Sequence, residues 1–489
     1  MDVTDGWTVK TRNGWVQGLR RPGHAAFLGI PFAEPPVGEL RFAAPVPRRP
    51  WEGVLPAITH GPTPLRAAAP GLVPEPAIPG DDTLSVSVFT PEADPAARLP
   101  VLVWIHGGAY TGGSPASPWY DGAAFARDGV VTVVVSYRLG FDGFGAIPGG
   151  CANRAVMDWL CALEWVQENI EAFGGDPARV TLAGQSAGGG AVLTLLGMPA
   201  AGSLFRAVWA SSPVLPVRAL EDAERMTRRL AARLGIAPSR EALAAIPEER
   251  ILAEQMAAAR PRGLSLNALI ERAPSFCPVV DGDLIPEPTV DALARGIGGD
   301  VDLVVGSNDN EIVLPAESLP SWIRHAPEGL VLWATGLHGH DMREYRATQR
   351  DGGVSGAVPA LGQEITDRVF RRQVVRVASA RAASAPASTR VYRFSWPSPT
   401  KGGAIHCLDL PFFWDVLDRE DTHPMTGEHP PRSLVDAVHG AAVALVTGEG
   451  PEFPEWDAAE RRVALIGGDG EHPVQTLPDG YAGLSALLR

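Results

Sequence analysis

The sequence predicts an α/β protein with a doubly wound, mostly parallel sheet. From residue 84 to 200, apolar runs typical of strands buried on both faces alternate with a helical pattern. The order strand, helix, strand requires a parallel crossover. A G-x-S-x-G motif at 184–188 then joins a strand-like run directly to a helix. With 489 residues, 45% of them hydrophobic and 20% charged, the chain can build a large core.

The first fifty or so residues are rich in short apolar segments with Pro and Gly, which predicts short strands and turns. Residues 60–82 contain many Pro, Gly and Ala without any period, and we expect a loop there. The helix that follows is indicated by apolar residues at near-helical spacing. The predicted elements are strands at 84–89, 100–105 and 130–136, a helix at 153–173, a strand at 180–183 and a helix from 186 onward.

The rest of the chain continues the same pattern. Residues 217–260 are rich in Ala, Arg, Glu and Leu, which predicts helices that either cap the site or pack outside the sheet. Strand-like runs return at 301–305 and 390–396, the second after an amphipathic helix at about 362–383. Because no Ser/Gly linker and no internal repeat interrupts this order, we expect a single domain over 1–489.

Charge and composition narrow the range of partners. A net charge of −14 opposes binding to nucleic acid and to anionic membrane surfaces. No apolar run reaches the ~18 residues that span a bilayer, and the first residues do not resemble a signal peptide. The spacings of the cysteines fit neither a metal site nor a disulfide ladder, which favours a reducing compartment. We therefore expect a cytoplasmic protein. The four cysteines are Cys151, Cys161, Cys277 and Cys407.

The strongest chemical signal is the G-x-S-x-G motif around Ser186. Its small residues allow a tight turn between strand and helix, which lifts the Ser186 hydroxyl clear of the sheet. The helix that begins there favours developing negative charge at its N-terminus. The motif in this context predicts a nucleophilic serine, whereas the bare motif elsewhere is often only a Gly/Ser turn.

A second motif, His106-Gly107-Gly108-Ala109, directly follows the strand at 100–105. Glycines there let backbone amides approach a substrate carbonyl oxygen. With the amide of Ala187, those of Gly108 and Ala109, or alternatively Gly107, would stabilise a tetrahedral oxyanion. The sequence thus predicts an oxyanion hole, although an isolated HGG can also be a simple turn.

A serine nucleophile needs an imidazole base and an acid that orients it. Among eleven histidines, His406 follows the strand at 390–396 by a loop, where a base can reach a serine at the sheet edge. The other histidines are expected in structural or surface positions, with His106 bracing its own turn. The acid should lie between serine and histidine. Asp309 and Glu311 both follow the strand at 301–305, and composition alone does not separate them.

The chain resembles the type-B carboxylesterases, a cholinesterase-like α/β-hydrolase family, and most of all the bacterial para-nitrobenzyl esterases. This resemblance implies an α/β-hydrolase fold, a central mostly parallel twisted sheet flanked by helices, with helical insertions over the site at about 217–275 and 312–360. The matching stretches are 27–42, 103–109, 136–140, 162–170, 172–177, 278–283 and the segment around 406.

The family carries its acid as the Glu of a G-x-x-x-D-E segment, and Glu311 falls on that position, with Asn310 replacing the usual Asp. The resemblance therefore implies Glu311 as the acid, with Asp309 as a weaker alternative. It also implies Ser186 as nucleophile and His406 as general base. The oxyanion hole would comprise Gly107, Gly108, Ala109 and Ala187, and neither a metal nor an organic cofactor is expected.

The chain departs from the family in three places. Gln185 stands where a Glu commonly precedes the nucleophile, which removes a negative charge beside the site. Thr83 replaces a cysteine of the early disulfide loop, and residues 60–82 contain neither Cys nor Trp, so the aromatic choline platform of cholinesterases does not carry over. Asp409 stands three residues after His406, where the family usually has Glu.

The expected function is hydrolysis of a small-molecule carboxylic ester through an acyl-enzyme. The same triad would also serve for an amide, carbamate, lactone or thioester, and sequence does not separate these bonds. A non-catalytic binding protein of the same fold is disfavoured because all three triad residues are present. A shorter esterase resembling hormone-sensitive lipase is disfavoured by chain length and by Glu311. We expect a monomer or a homodimer.

Overall fold

The structure is a computed structural model that describes residues 6–67, 71–260, 263, 265–271, 273–467 and 472–489. In these residues a single sheet of 13 strands runs through the molecule. The strands are β1 (Trp7–Lys10), β2 (Trp15–Arg21), β3 (His24–Pro31), β4 (Val54–Pro56), β5 (Ser85–Thr90), β6 (Leu99–Ile105), β7 (Val131–Val135), β8 (Gly175–Gln185), β9 (Ala207–Ser211), β10 (Asp302–Asn308), β11 (Thr389–Phe394), β12 (Val463–Ile466) and β13 (Val474–Leu477).

Helices cover both faces of this sheet. They are α1 (Ala123–Arg127), α2 (Gly140–Phe144), α3 (Arg154–Asn169), α4 (Ala187–Leu196), α5 (Leu220–Leu234), α6 (Arg240–Ala244), α7 (Glu248–Ala259), α8 (Leu266–Glu271), α9 (Thr289–Ala294), α10 (Ser321–Arg324), α11 (Glu328–Ala334), α12 (Gly339–Asp351), α13 (Ala357–Thr366), α14 (Arg372–Ala382), α15 (Leu410–Phe413), α16 (His423–Thr426), α17 (Ser433–Val435), α18 (Ala441–Thr447) and α19 (Ser485–Leu488).

The strand order is β1-β2-β3-β5-β7-β6-β8-β9-β10-β11-β12-β13, with β4 beside β2. The seven strands from β7 to β12 in this order pair in parallel. The remaining strands pair antiparallel, except that β4 pairs in parallel with β2. The predicted mostly parallel sheet with flanking helices is therefore confirmed. Parallel neighbours cannot be joined by a hairpin, so the chain must cross over between them, usually through a helix.

Strand β6 shows why the central runs are continuously apolar. Val101, Val103 and Ile105 join the hydrophobic core on one face of the sheet, whereas Leu102 and Trp104 join the core on the other face. All five side chains are essentially inaccessible to solvent. Because successive side chains point to opposite faces of a strand, a strand covered by helices on both sides needs apolar residues at every position.

The predicted elements appear with shifted boundaries. β8 begins at Gly175, five residues before the predicted strand, and the helix expected at 362–383 begins at Ala357 and contains a π-helical turn over Asp367–Arg371. Strands β4, β9, β12 and β13, which have three to five residues each, were not predicted from the sequence. Such short strands owe their stability mainly to pairing with neighbours rather than to a local pattern.

Helices α5 to α8 and α10 to α12 fall within the ranges 217–275 and 312–360, whose role as insertions over the site stays a prediction. Among the helices of the described residues, none combines the length and apolar character that crossing a bilayer requires.

Candidate active site

The turn around Ser186 joins the end of β8 to the start of α4. Ser186 adopts φ 60° and ψ −120°, a strained conformation for a residue with a side chain. The turn depends on glycine at position 188, where an added Cβ would lie 1.9 Å from the carbonyl oxygen of Ile105 on β6. The close approach of α4 to the sheet thus fixes the serine at the carboxyl edge of the central strands.

The glycine turn after β6 lies directly against this serine. A Cβ added at Gly107 would stand 3.1 Å from the Cβ of Ser186, so no larger residue fits there without movement. Gly108 and Ala109 adopt positive φ angles of 109° and 53°. Within the described part of the chain, the amides of Gly107, Gly108, Ala109 and Ala187 donate to no protein acceptor. These amides are available to an oxyanion.

Two side chains brace the glycine turn from behind. His106 stacks on Tyr137 at 4.5 Å between ring centroids, and its Nδ1 lies 2.8 Å from the Gly107 carbonyl oxygen, to which it donates. Burial lowers the pKa of His106 to about 4, so the ring is neutral at pH 7. On the other side, the Glu75 carboxylate accepts a hydrogen bond from the amide of Gly113 at 2.9 Å.

His406 and Glu311 meet in the loops that follow β11 and β10. His406 Nδ1 donates to Glu311 Oε2 at 2.6 Å, and the second carboxylate oxygen accepts from the Asn308 amide at 2.8 Å. The main chains are also joined, because the His406 amide donates to the Glu311 carbonyl at 3.1 Å. Asp309, the alternative acid, instead forms an ion pair with Arg393 at 2.9 Å. Of the two candidates, the structure therefore brings Glu311 to the imidazole.

The surroundings of His406 set the pKa of its ring, and the hydrogen bond to Glu311 sets its tautomer. Burial lowers the pKa of His406, but the adjacent Cys407 and the Glu311 carboxylate raise it, and the net pKa lies well above the usual value. With Nδ1 donating to the carboxylate, Nε2 of the neutral ring carries the lone pair. This is the tautomer that a general base requires.

Gln185 contacts that lone pair. Its side-chain nitrogen lies 3.2 Å from His406 Nε2, which has no other hydrogen-bond partner among the described residues. A neutral amide can donate to this lone pair, whereas the Glu common in the family could not donate when ionised. In this structure Gln185, rather than Ser186, holds the imidazole through Nε2. Catalytic hydrogen bonds are often long before substrate binds, so this arrangement is compatible with a resting state.

A second buried carboxyl group lies behind the first. Asp409 accepts from the Asn308 side chain and from the Tyr392 hydroxyl, both at 3.3 Å. Burial and the charge of Glu311 raise the pKa of Asp409 to about 6. Sequence reasoning noted Asp409 but missed Asn308, although Asn308 lies within the same segment as Glu311. It also missed Phe370, whose ring lies 4.8 Å from that of His406 and which no local motif marks.

One group of side chains in the described residues has the spacing of a metal site. His340, Asp341 and Glu344 are clustered on α12. However, the Arg489 guanidinium lies 2.8 Å from Asp341 and 2.5 Å from Glu344, so a positive charge already occupies the position between the two carboxylates. This cluster does not contribute to the site around Ser186. All four cysteines are free.

Comparison with known proteins places this geometry in a family. The model of the carboxylesterase family matches residues 5–430. The chain is 33% identical to a phenmedipham hydrolase of Pseudarthrobacter oxydans, over 96% of each chain. It is 34% identical to a para-nitrobenzyl esterase of Bacillus subtilis, over 84% of this chain and 83% of that protein.

Solved structures agree with these relatives. A carboxylesterase of Geobacillus stearothermophilus superposes with a TM-score of 0.85 at 30% identity, covering 98% of this chain and 99% of the other. A PNB esterase superposes with a TM-score of 0.83 at 28% identity, covering 99% of both chains. The predicted α/β-hydrolase fold and the predicted resemblance are therefore confirmed. The chain belongs to the carboxylesterase family and is a carboxylic ester hydrolase.

Proposed function

We propose that Ser186, His406 and Glu311 carry out the ester hydrolysis of this family, with the amides of Gly107, Gly108, Ala109 and Ala187 as the oxyanion hole. The observation that carries the proposal is the 2.6 Å hydrogen bond between His406 Nδ1 and Glu311. This bond fixes the tautomer of His406. Nε2 of His406 contacts Gln185, which precedes the strained Ser186.

In the acylation step, Ser186 Oγ attacks the ester carbonyl while His406 Nε2 accepts its proton. For this step Nε2 exchanges its hydrogen bond with the Gln185 amide for one with Ser186. The oxyanion is stabilised by the backbone amides of the glycine turn and of the α4 N-terminus. Glu311 stabilises the imidazolium that forms, and the imidazolium then protonates the leaving alcohol.

Deacylation repeats the cycle with water as nucleophile. His406 takes a proton from water, the second tetrahedral intermediate forms in the same oxyanion hole, and its collapse returns the proton to Ser186. The products are the carboxylic acid and the free enzyme, so no cofactor enters the balance of atoms or charges.

The test is hydrolysis of p-nitrophenyl acetate, butyrate and octanoate by the wild type and by Ser186→Ala. We expect turnover by the wild type, an early burst from the acyl-enzyme, and loss of turnover in the variant, whose fold should be unchanged in circular dichroism. Retained hydrolysis in a folded Ser186→Ala would show that another group is the nucleophile.

A specific candidate substrate comes from one of the relatives. One relative, 33% identical over nearly the full length, carries the name phenmedipham hydrolase. Phenmedipham is therefore a second candidate substrate for the same triad, and release of product from it by the wild type but not by Ser186→Ala would establish that activity. The alternative substrates of the same triad are an amide, a carbamate, a lactone or a thioester.

We propose that the chain is one domain over 1–489 that acts in the cytoplasm as a monomer or homodimer, without nucleic-acid or membrane partners. The free cysteines and the net charge of −14 support this setting. Light scattering of the purified protein would measure its mass against the 51.7 kDa of one chain.

A further inference from the structure

A cavity of about 340 Å³ lies beside the candidate active site, between the loop after β9, the end of α8 and the helix that runs through α14. Its charged lining consists of four arginines and two carboxylates, a net positive charge in a protein whose total charge is −14. These residues are Arg218, Arg368, Arg372, Arg376, Asp222 and Glu271.

Among the described residues, carboxylates pair with Arg368 and Arg372 but not with Arg376. Glu364, which does not line the cavity, lies 2.6 Å from Arg368. Glu271 lies 3.2 Å from Arg368 and 3.3 Å from Arg372, and its side chain is 42% exposed at the rim. Asp222 forms an ion pair with Arg225, which does not line the cavity. The position of Glu271 also shows that a carboxylate fits between these guanidinium groups.

Arg376 lies one helical turn after Arg372 on α14. Its Nη1 is 3.4 Å from the neutral side chain of Gln373, and in the described part of the chain Arg376 forms no ion pair. Arg372 Nε is buried without a hydrogen-bond partner among the same residues. Burial lowers the pKa of Arg372, and the nearby charges of Arg368 and Arg376 lower it further, against the opposing effect of Glu271. A buried guanidinium group with an unpaired N–H is energetically costly unless an anion accepts its hydrogen bond.

Two residues of the cavity lining are next in sequence to residues that contact the candidate active site. Val369 lines the cavity, and the next residue, Phe370, packs on the ring of His406 at 4.8 Å. Leu215 also lines the cavity, and the preceding Val214 donates its amide hydrogen to the carbonyl oxygen of Ser186 at 3.3 Å. The remaining lining includes Val217 and Ile270, which offer apolar contact.

We propose that this cavity binds the free carboxylate of an anionic ester, so that the preferred substrates carry a carboxylate a few carbon atoms from the ester bond. The inference rests on the proposed function and names the substrate class of the same site. Guanidinium groups match a planar carboxylate with two parallel hydrogen bonds. The apolar part of the lining would contact the carbon chain between the carboxylate and the ester.

The test compares p-nitrophenyl hydrogen glutarate, which is anionic, with neutral p-nitrophenyl butyrate. We expect the wild type to have the higher kcat/KM for the glutarate ester, chiefly through a lower KM. In Arg376→Gln the ratio of the two kcat/KM values should fall by about tenfold, as expected for loss of a charged hydrogen bond. Arg376→Lys should retain part of the preference. Arg343→Gln, at an exposed arginine of α12, removes the same charge and should leave the ratio unchanged.

A second pair of esters, 4-acetoxybenzoate and phenyl acetate, places the carboxylate on the leaving alcohol instead of the acyl group. A preference that depends on Arg376 in either pair supports the inference and identifies the side of the ester that enters the cavity. Raising the salt concentration should weaken that preference, which tests the wild type without any variant.

Two results would overturn the inference while leaving the proposed function intact. One is a wild type that hydrolyses the neutral esters as well as or better than the anionic esters in both pairs. The other is a preference that Arg376→Gln, Arg376→Lys and added salt all leave unchanged. Hydrolysis that survives in folded Ser186→Ala would instead overturn the proposed function.

Discussion

The two halves of the candidate active site are built in different ways. The serine half, which comprises the turn at Ser186 and the glycine turn after β6, is held by main-chain packing. Its close approaches at Gly107 and Gly188 leave no room for a side chain. The histidine half is held by side chains, since His406 contacts Glu311, Gln185 and the ring of Phe370.

Because of this difference, substitutions should have different effects in the two halves. The serine half presents backbone amides and a single hydroxyl, so its geometry depends on the sheet and on α4. Apart from Ser186 itself, substitutions there should act through the fold. The histidine half sets protonation, so substitutions there should act on rate and on pH dependence while the fold persists.

The largest effect is expected for Glu311→Gln in the histidine half. The amide can no longer stabilise the imidazolium and favours the wrong tautomer, and we expect kcat to fall by about 10³ to 10⁴. The measurement is steady-state hydrolysis of p-nitrophenyl butyrate. The matched control is Asp309→Asn, which alters the rival acid paired with Arg393 and should keep most of the activity. A larger loss in the control than in Glu311→Gln would assign the acid to Asp309.

The next effect tests the serine half through stability. Gly188→Ala places a methyl group 1.9 Å from the Ile105 carbonyl oxygen, so α4 must move away from the sheet. We expect the free energy of unfolding to fall by about 3 kcal/mol, within the range for overpacked sites. Thermal unfolding followed by circular dichroism measures the change.

The control for this prediction is Gly440→Ala, a helical glycine whose added Cβ would meet nothing within 4 Å. Because alanine favours helix over glycine by about 1 kcal/mol, this variant should be as stable as the wild type or more stable. Equal destabilisation of both variants would show that the close contact at Gly188 is not the cause.

A smaller effect is expected on the pH dependence of the histidine half. His406 must be neutral to accept a proton, so kcat/KM falls as the pH drops below its pKa, which is already raised. Gln185→Glu adds a negative charge beside Nε2, which favours the imidazolium. The acid limb of the kcat/KM profile should therefore move to higher pH by about one unit. Gln475→Glu, at an exposed position of β13, adds the same charge and should leave the limb in place.

The same division explains what could be predicted from the sequence. Ser186 and the glycine turn lie in short contiguous motifs whose sterics are local, so both were found directly. His406 emerged from its position after a strand, and residues alone did not choose between Asp309 and Glu311, because the choice depends on where two distant loops meet. The contact of Gln185 with His406 joins residues 221 positions apart.

Parts of the fold escaped prediction for a similar reason. β12 and β13 have four residues each, and their pairing with β11 and with one another, rather than any local pattern, defines them. Phe370 lies in a helix whose apolar stripe was recognised, but a stripe does not say which of its members meets the imidazole. Steric constraints within a short segment can be predicted from the sequence, whereas contacts between distant residues that the sheet brings together cannot.

The smallest effect is expected for Glu75, at the edge of the serine half. Its carboxylate accepts from the Gly113 amide at 2.9 Å and lies 3.6 Å from Arg66, so it holds the far end of the glycine turn. Glu75→Gln keeps the size of the side chain but weakens a charged hydrogen bond by about 1 kcal/mol. If the turn positions the oxyanion amides, kcat should fall about threefold to fivefold while KM changes little, because the oxyanion forms only after substrate binds.

Glu52→Gln is the matched control. Glu52 is exposed near the start of β4, and its substitution removes the same charge. A fall in kcat specific to Glu75→Gln would show that the serine half also depends on a side chain at its edge. A change confined to KM would mean that Glu75 shapes substrate binding instead. The serine half would then depend on main-chain packing alone, and its contrast with the histidine half would be complete.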